Sequence, residues 1–330
     1  MRVAILDDYQ RVALASADWS AVRELAEITV FTEHIARTDA LVRVLEPFDV
    51  VVAMRERTAF DAERFGWLPR LRLLVTTGMA NAAIDLAAAA DRGITVCGTG
   101  GSATATAELT WALILALARH IPSEDQRMKA AGRAGGAALT GGWQSTVGTD
   151  LAGKRLGLVG LGHQGRKVAE IGRAFGMKLL AWSQNLDPDQ AKKAHAKAVS
   201  KDELFSLSDV VTVHYKLGPR SVGLVGAAEL ALMKPSAFLV NTSRGPIVDS
   251  AALLAALRSG SIAGAALDVY DTEPLPLSDP LRAAPNVVLT PHLGYVTEDS
   301  YRVFYTDAAE DIVAFAKGAP VRVLSTDARR

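Results

Sequence analysis

Along the first hundred residues, short apolar runs rich in β-branched side chains alternate with stretches of helical spacing. Val3 to Leu6, Glu27 to Phe31, Asp49 to Ala53, Leu71 to Thr76 and Ile94 to Val96 read as strands. Helical segments between successive strands predict crossovers and therefore a mainly parallel sheet. Gly98 to Ser102 forms a Gly-rich turn, and Ala103 to Ile121 then reads as one long helix. Leu109, Leu113, Ala116 and Leu117 recur at three to four residues and mark its expected buried face.

From Ala130 to Asp150 the chain is rich in Gly and Thr and weakly periodic, which predicts a connecting loop anchored by Trp143. A second α/β series follows. Its expected strands are Arg155 to Val159, Lys178 to Trp182, Val210 to His214, Ala237 to Val240, Ala263 to Leu267 and Val287 to Leu289. Six strands with helical crossovers suit a doubly wound sheet. Thr297 to Lys317 reads as a tail helix with a short final segment after it. The expected fold class is thus α/β, with two doubly wound domains.

Composition narrows the function. The chain has 330 residues, more than one hydrophobic core usually serves. Lys plus Arg and Asp plus Glu both total 36, so the formal charge is zero. A nucleic-acid or membrane-surface protein would more often carry a basic excess. The single cysteine, Cys97, cannot form an internal disulfide, fits a reducing compartment and reads as a small core residue. The N-terminal apolar stretch is too short for a signal peptide. Leu109 to Ala118, the most membrane-like run, is about half the length needed to span a bilayer. These features predict a soluble, cytoplasmic protein.

The most informative local pattern is an apolar strand, Arg155 to Val159, running into Gly160-x-Gly162-x-x-Gly165 and then a helix. Gly160 permits a tight turn, Gly162 lets backbone N–H groups approach a pyrophosphate, and Gly165 allows close packing of helix on strand. The helix start supplies oriented donors for the phosphates, with His163 and Gln164 beside them. The next strand ends at Ser183, about 20 residues on, where an acid normally accepts hydrogen bonds from the adenosine ribose. Ser183, Gln184 and Asn185 carry no charge, and no Arg is adjacent to bind a 2′-phosphate. NAD(H) is the expected cofactor, with NADP(H) open.

Hydride transfer to a 2-oxo acid needs a cation for the carboxylate, an acid for the forming alkoxide, and a group that orients that acid. Arg, His and a carboxylate suit these roles. Arg244 follows one strand, in Asn241-Thr242-Ser243-Arg244-Gly245. Glu273 lies in the loop after the next strand, which begins at Asp268. His292 follows the last, in Thr290-Pro291-His292-Leu293-Gly294. Each lies beyond a strand C-terminus, the side of open α/β sheets that binds ligands. The other histidines read as bland: His34 and His195 solvated, His120 a helix terminus, His214 packing or lining the cofactor. Trp143 and Trp182 read as core. No spacing suggests a metal site.

The chain resembles the D-isomer-specific 2-hydroxyacid dehydrogenase family. The resemblance rests on Met233-Lys234-Pro235, on Asn241 to Gly245, on Val248-Asp249, on Gly264 to Val269, on Glu273-Pro274 and on Thr290-Pro291-His292. It implies that Arg244 clamps the substrate carboxylate, His292 is the acid/base and Glu273 its partner. It further implies Asp268 near the nicotinamide carboxamide, and Thr242, Ser243 and Gly294 along the cofactor. The implied layout is discontinuous: a Rossmann-type cofactor domain at 101–292, and a flavodoxin-like substrate domain at 1–100 with 293–330. Substrate is expected between the domains, against Gly78-Met79-Ala80-Asn81. His214-Tyr215-Lys216 departs from the family's usual Thr-Pro beside the adenine, leaving Tyr215 either to stack there or to pack. The chain stops soon after the tail helix, so a C-terminal regulatory domain is not expected. Relatives suggest a homodimer, with residues 103 to 118 as one possible contact.

Two other functions compete. A dinucleotide-sensing protein, like the corepressors related to this family, would not need the set Arg244, Glu273 and His292. Formate dehydrogenases have Gln where Glu273 stands, which points away from formate chemistry.

Overall fold

The computed structural model describes residues 1–133 and 143–325, with backbone alone for 131–133. The chain divides into two compact units, Met1–Ser102 with Tyr295–Arg330, and Ala103–Gly294. Among the described residues the first unit holds β1 (Arg2–Ile5), β2 (Glu27–Val30), β3 (Val50–Ala53), β4 (Leu73–Thr76) and β5 (Thr95–Gly98). Their order is β2-β1-β3-β4-β5, with every pair parallel, as in flavodoxin-like sheets.

The second unit holds β6 (Arg155–Val159), β7 (Lys178–Trp182), β8 (Lys197–Ala198), β9 (Val210–Val213), β10 (Phe238–Asn241), β11 (Gly264–Leu267) and β12 (Val287–Leu289). The order β12-β11-β10-β9-β6-β7-β8 reverses direction between β6 and β9, the topological switch point of a Rossmann sheet. The described sheet has one strand more than the pattern predicts. Lys197–Ala198 is only two residues long and carries no apolar run, so periodicity could not find it.

Both sheets are buried on two faces, which is why their strands are nearly all apolar. The two-residue side-chain period splits each strand between two cores. Leu156 and Leu158 of β6 join Phe238 and Val240 of β10 on one face. Val159, Val211, Val213, Leu239 and Leu267 join on the other. Each such side chain, fully removed from water, contributes about 1.5–3 kcal/mol.

The expected helix at 103 to 121 is present as one helix, and a second one that the pattern did not predict follows it. Ala105–Ala118 ends before His120, whose φ of 51° turns the chain, and Ile121–Arg133 begins with Pro122 in its first turn, where its missing N–H costs nothing. Of the expected buried face, Leu113 and Leu117 are buried, but the face is wider and turned from the expected one. It centres on Ala107, Thr110, Trp111, Ile114, Leu117 and Ala118, while Leu109 and Ala116 are only half-buried. A helix apolar nearly all round gives its pattern no direction. Trp143 does not anchor the segment that follows, being 70% exposed. Of the loop expected at 130 to 150, residues 134–142 lie outside the described residues.

The tail helix Glu298–Ala316 starts at Thr297, whose hydroxyl accepts the Ser300 N–H. The chain then returns to β5. Gly98 N–H donates to the Arg322 carbonyl, Leu324 N–H donates to Val96, and Cys97 bridges Val323 antiparallel. The Arg322 guanidinium fastens this return to Asp311 at 3.0 Å and Glu310 at 3.1 Å. Of the final segment, 326–330 lie outside the described residues. Among the described residues no helix is long and apolar enough to cross a membrane.

Candidate active site

Gly160 follows β6 with φ 96°, a conformation that favours glycine. A Cβ there would stand 2.5 Å from the His214 carbonyl, and one on Gly165 would stand 2.2 Å from the Gly160 carbonyl. The turn is therefore pressed between β9 and the following helix, His163–Ala174. In front of Gly162 nothing lies within 4 Å of an added Cβ, and no side chain caps the helix start. Its first N–H groups are thus left to a ligand. Gln164 beside them has a buried Oε1 that finds no hydrogen-bond partner among the described residues.

The loop after β7 is held from one side by aromatic rings. Trp182 and Tyr215 stack at 6.2 Å and 17°, and the Tyr215 hydroxyl accepts the Gln184 N–H at 3.3 Å. One face of Tyr215 is therefore taken by Trp182. His214 sits in the crowded wall of the glycine turn with Nε2 3.0 Å from the Thr212 hydroxyl. Desolvation pushes its pKa down to about 4.

On the other half of the sheet, Asn241 pairs with Leu267 and Leu267 with Leu289, so β10, β11 and β12 end at one level. Neighbouring strands stand about 4.8 Å apart, which brings the loops bearing Arg244, Glu273 and His292 together. His292 Nδ1 lies 2.6 Å from Glu273 Oε2. The other Glu273 oxygen accepts the Tyr270 N–H at 2.9 Å, which fixes the carboxylate. Arg244 is oriented by its own loop: Nη1 donates to the Ser243 carbonyl at 2.8 Å, and Asn241 Nδ2 donates to the Arg244 carbonyl at 2.9 Å. A Cβ on Gly245 would fall 2.0 Å from the Tyr270 carbonyl carbon, so this loop lies directly on the one that leads to Glu273.

Asp268 binds the His292 loop. Its Oδ1 accepts from the Thr290 hydroxyl at 2.6 Å and Leu293 N–H at 2.7 Å, and Oδ2 accepts from Gly294 N–H at 2.8 Å. Burial raises its pKa, while those donors and nearby His292 pull it down. His292 itself has φ 53°, a left-handed conformation that few side chains adopt and that the loop bonds sustain.

Some site residues carry no signal of their own in the sequence. On the apolar helix, Thr106 donates to the Gly294 carbonyl at 2.9 Å, and the Thr110 hydroxyl meets that of Thr242 at 2.8 Å. The Tyr270 hydroxyl donates to the Thr290 carbonyl at 2.9 Å. Two threonines four residues apart on an apolar helix were the available hint. Ser243 donates its hydroxyl to the Tyr215 carbonyl, tying the loops after β9 and β10.

In the first unit, Gly78 has φ 90° and its N–H donates to Thr99, while Met79 is exposed. Asn81 is buried, with Nδ2 on the Arg55 carbonyl and Thr76 hydroxyl and Oδ1 on the Ala83 N–H, so its amide supports the loop. His34 is not simply solvated: Nδ1 lies 2.9 Å from buried Asp7. Cys97 is a buried core residue whose thiol burial pushes up to about 12.

Residues 111–294, more than half of the chain, match the family described as D-isomer specific 2-hydroxyacid dehydrogenase, NAD binding domain. The chain belongs to this family. A glyoxylate reductase from Aeropyrum pernix is 42% identical over 261 residues, 78% of this chain and 77% of that protein. A D-3-phosphoglycerate dehydrogenase from Archaeoglobus fulgidus is 37% identical over 86% of this chain, which spans 52% of that protein's length. The crystal structure of a phosphoglycerate oxidoreductase from Vibrio cholerae o395 has TM-score 0.88 and 37% identity, covering 97% of this chain and all of that one. The chain is thus a 2-hydroxyacid dehydrogenase, an oxidoreductase working with NAD(H). The uncapped helix start and the open space before Gly162 fit the phosphates of that dinucleotide, and the orphaned Gln164 oxygen, an acceptor, fits a hydroxyl or amide donor of it.

Proposed function

We propose that this dehydrogenase interconverts a small 2-oxo acid and its D-2-hydroxy acid, with Arg244 binding the carboxylate, His292 exchanging the proton and Glu273 positioning His292. The observation carrying this reading is the 2.6 Å contact between His292 Nδ1 and Glu273 Oε2, on loops level with that of Arg244.

NAD(H), when bound, would supply or take up the hydride. Gly160, Gly162, His163, Gln164 and Gly165 hold its phosphates, and Ser183 and Tyr215 bound the adenosine end. Thr242, Ser243, Asp268 and Gly294 shape the loops beside it. With Nδ1 facing Glu273, His292 presents Nε2 to the substrate oxygen. The carboxylate fixes the ring, and the imidazolium form of His292 is the proton donor during reduction. The Arg244 fork matches a carboxylate in two places and polarises the adjacent carbonyl. Gly78, Met79 and Asn81 belong to the loop assigned to substrate, with Asn81 holding the loop's shape.

Glyoxylate and hydroxypyruvate are the leading substrates, since the chain covers most of a glyoxylate reductase at 42% identity. Residues 101–292 are assigned to cofactor and 1–100 with 293–330 to substrate. A cytoplasmic homodimer is the expected form, consistent with the lone buried Cys97. The test is NADH oxidation against glyoxylate, hydroxypyruvate, pyruvate and branched-chain 2-oxo acids, with chiral analysis of products. A protein that binds NADH yet turns over none of them is a sensor, and the catalytic reading fails.

A further inference from the structure

Tyr270 follows the end of β11, on the chain that leads to Glu273, and is buried. Its two polar groups serve two different loops. The backbone N–H donates to Glu273 Oε1 at 2.9 Å. The phenol hydroxyl turns back to the strand ends, shared between the Thr290 carbonyl at 2.9 Å and the Leu267 carbonyl at 3.1 Å. The Thr290 carbonyl also accepts the His292 N–H at 3.0 Å, across the tight turn at Pro291. One oxygen therefore takes a bond from Tyr270 and another from the backbone of His292.

The fold alone does not require this hydroxyl. Each carbonyl it touches already has a backbone donor, the Thr290 N–H for Leu267 at 2.9 Å and the His292 N–H for Thr290. A phenylalanine would fill the same place in the core that Tyr270 shares with Leu267 and Leu281. Burial, and after it the charges of Asp268 and Glu273, raise the pKa of the phenol, so the hydroxyl stays protonated and donates. What it adds is a fixed separation between the Glu273 loop and the turn that aims His292.

We propose that Tyr270 is a positioning residue for the reaction: its hydroxyl, bonded to the carbonyl that holds the His292 N–H, sets the imidazole against the carboxylate that its own backbone orients. The inference rests on the roles proposed for His292 and Glu273. Tyr270 acts on the substrate only through them.

The test is Tyr270→Phe in the full chain, measured first without cofactor or substrate. Its thermal midpoint should stay near wild type, while amide hydrogen exchange at His292 quickens by about tenfold. With NADH and glyoxylate, kcat should fall by about tenfold and KM should stay within about twofold, because the Arg244 loop keeps the Tyr270 backbone beside it. In a His292→Ala background no imidazole remains to be placed. Adding Tyr270→Phe there should change the residual rate by less than about twofold. A further loss of about tenfold in that background overturns the inference, since the hydroxyl then acts elsewhere. Unchanged exchange at His292, kcat within about twofold of wild type, or a Tyr270→Phe chain that does not fold each overturns it too. Those results leave His292 and Glu273 in their proposed roles. Normal turnover by His292→Ala removes those roles, and the inference with them.

Discussion

Glu273 reaches His292 with one carboxylate oxygen, 2.6 Å from Nδ1, while its other oxygen accepts the Tyr270 backbone N–H. The acid is held by backbone and in turn holds the imidazole, so under the proposed mechanism its effect on catalysis passes through His292. His292→Ala should lower kcat by about a thousandfold, in the range of general acid–base contributions. Glu273→Gln keeps the shape and removes the charge, and should lower kcat by about ten- to a hundredfold with a smaller change in KM. Steady-state kinetics alongside calorimetric cofactor binding checks both. A His292→Ala enzyme with normal turnover removes the assignment.

Arg244 depends on its neighbour. Gly245 has no space for a side chain, since a Cβ would meet the Tyr270 carbonyl carbon at 2.0 Å. Gly245→Ala must separate the two loops and should cost about 1–3 kcal/mol or more of stability, as overpacking does. Activity should fall further than stability, because Arg244 moves with the loop. Arg244→Lys, by contrast, should leave the melting temperature near wild type while lowering kcat/KM by about a hundredfold through loss of the fork. Thermal unfolding measured beside kcat/KM separates the two cases.

Asp268 holds the Thr290 hydroxyl and the Leu293 and Gly294 N–H groups at once. Asp268→Ala leaves three donors unmatched, and the one that is buried, the Gly294 N–H, should cost about 1–3 kcal/mol. Amide hydrogen exchange should quicken across 290–294, and kcat should fall with it. Unchanged protection in that segment would show that Asp268 does not hold the loop.

His214 bears on acid stability. Its folded pKa of about 4 lies below the ordinary value of 6.5. Between those values the unfolded chain takes up the proton and the folded chain does not. Stability is therefore lost as pH falls from 6.5 towards 4, by at most on the order of 3 kcal/mol. His214→Gln removes this titration and should flatten the urea midpoint over that window. The same slope in variant and wild type would assign the acid sensitivity to other groups.

What the sequence discloses follows from how local each signal is. The strand before Gly160 and the helix after it lie within one short segment, so the dinucleotide turn was legible. That Arg244, Glu273 and His292 lie on neighbouring loops was legible because each follows a strand end and parallel strands put such ends on one side, while the roles proposed for them come from the resemblance. The partners that hold them were not legible. Thr106 finds Gly294 across 188 positions and Thr110 finds Thr242 across 132, and neither distance leaves a periodic trace. His34 likewise gave no sign of Asp7, 27 positions away on another loop. The buried face of Ala105–Ala118 was read only in part, at Leu113 and Leu117, because apolar residues surround the helix and the sheet and the helix His163–Ala174 that it packs on select its side.

The return of residues 322–324 to β5 has a meaning for the protein in a crowded solution. A terminal strand with bare amides and carbonyls is an invitation to any extended chain, including another copy of itself. Here the molecule's own tail fills that row, with Arg322 as its rivet. A protein clipped after Gly318 would keep its catalytic loops and yet acquire an adhesive flank, so its earliest failure should be turbidity rather than inactivity.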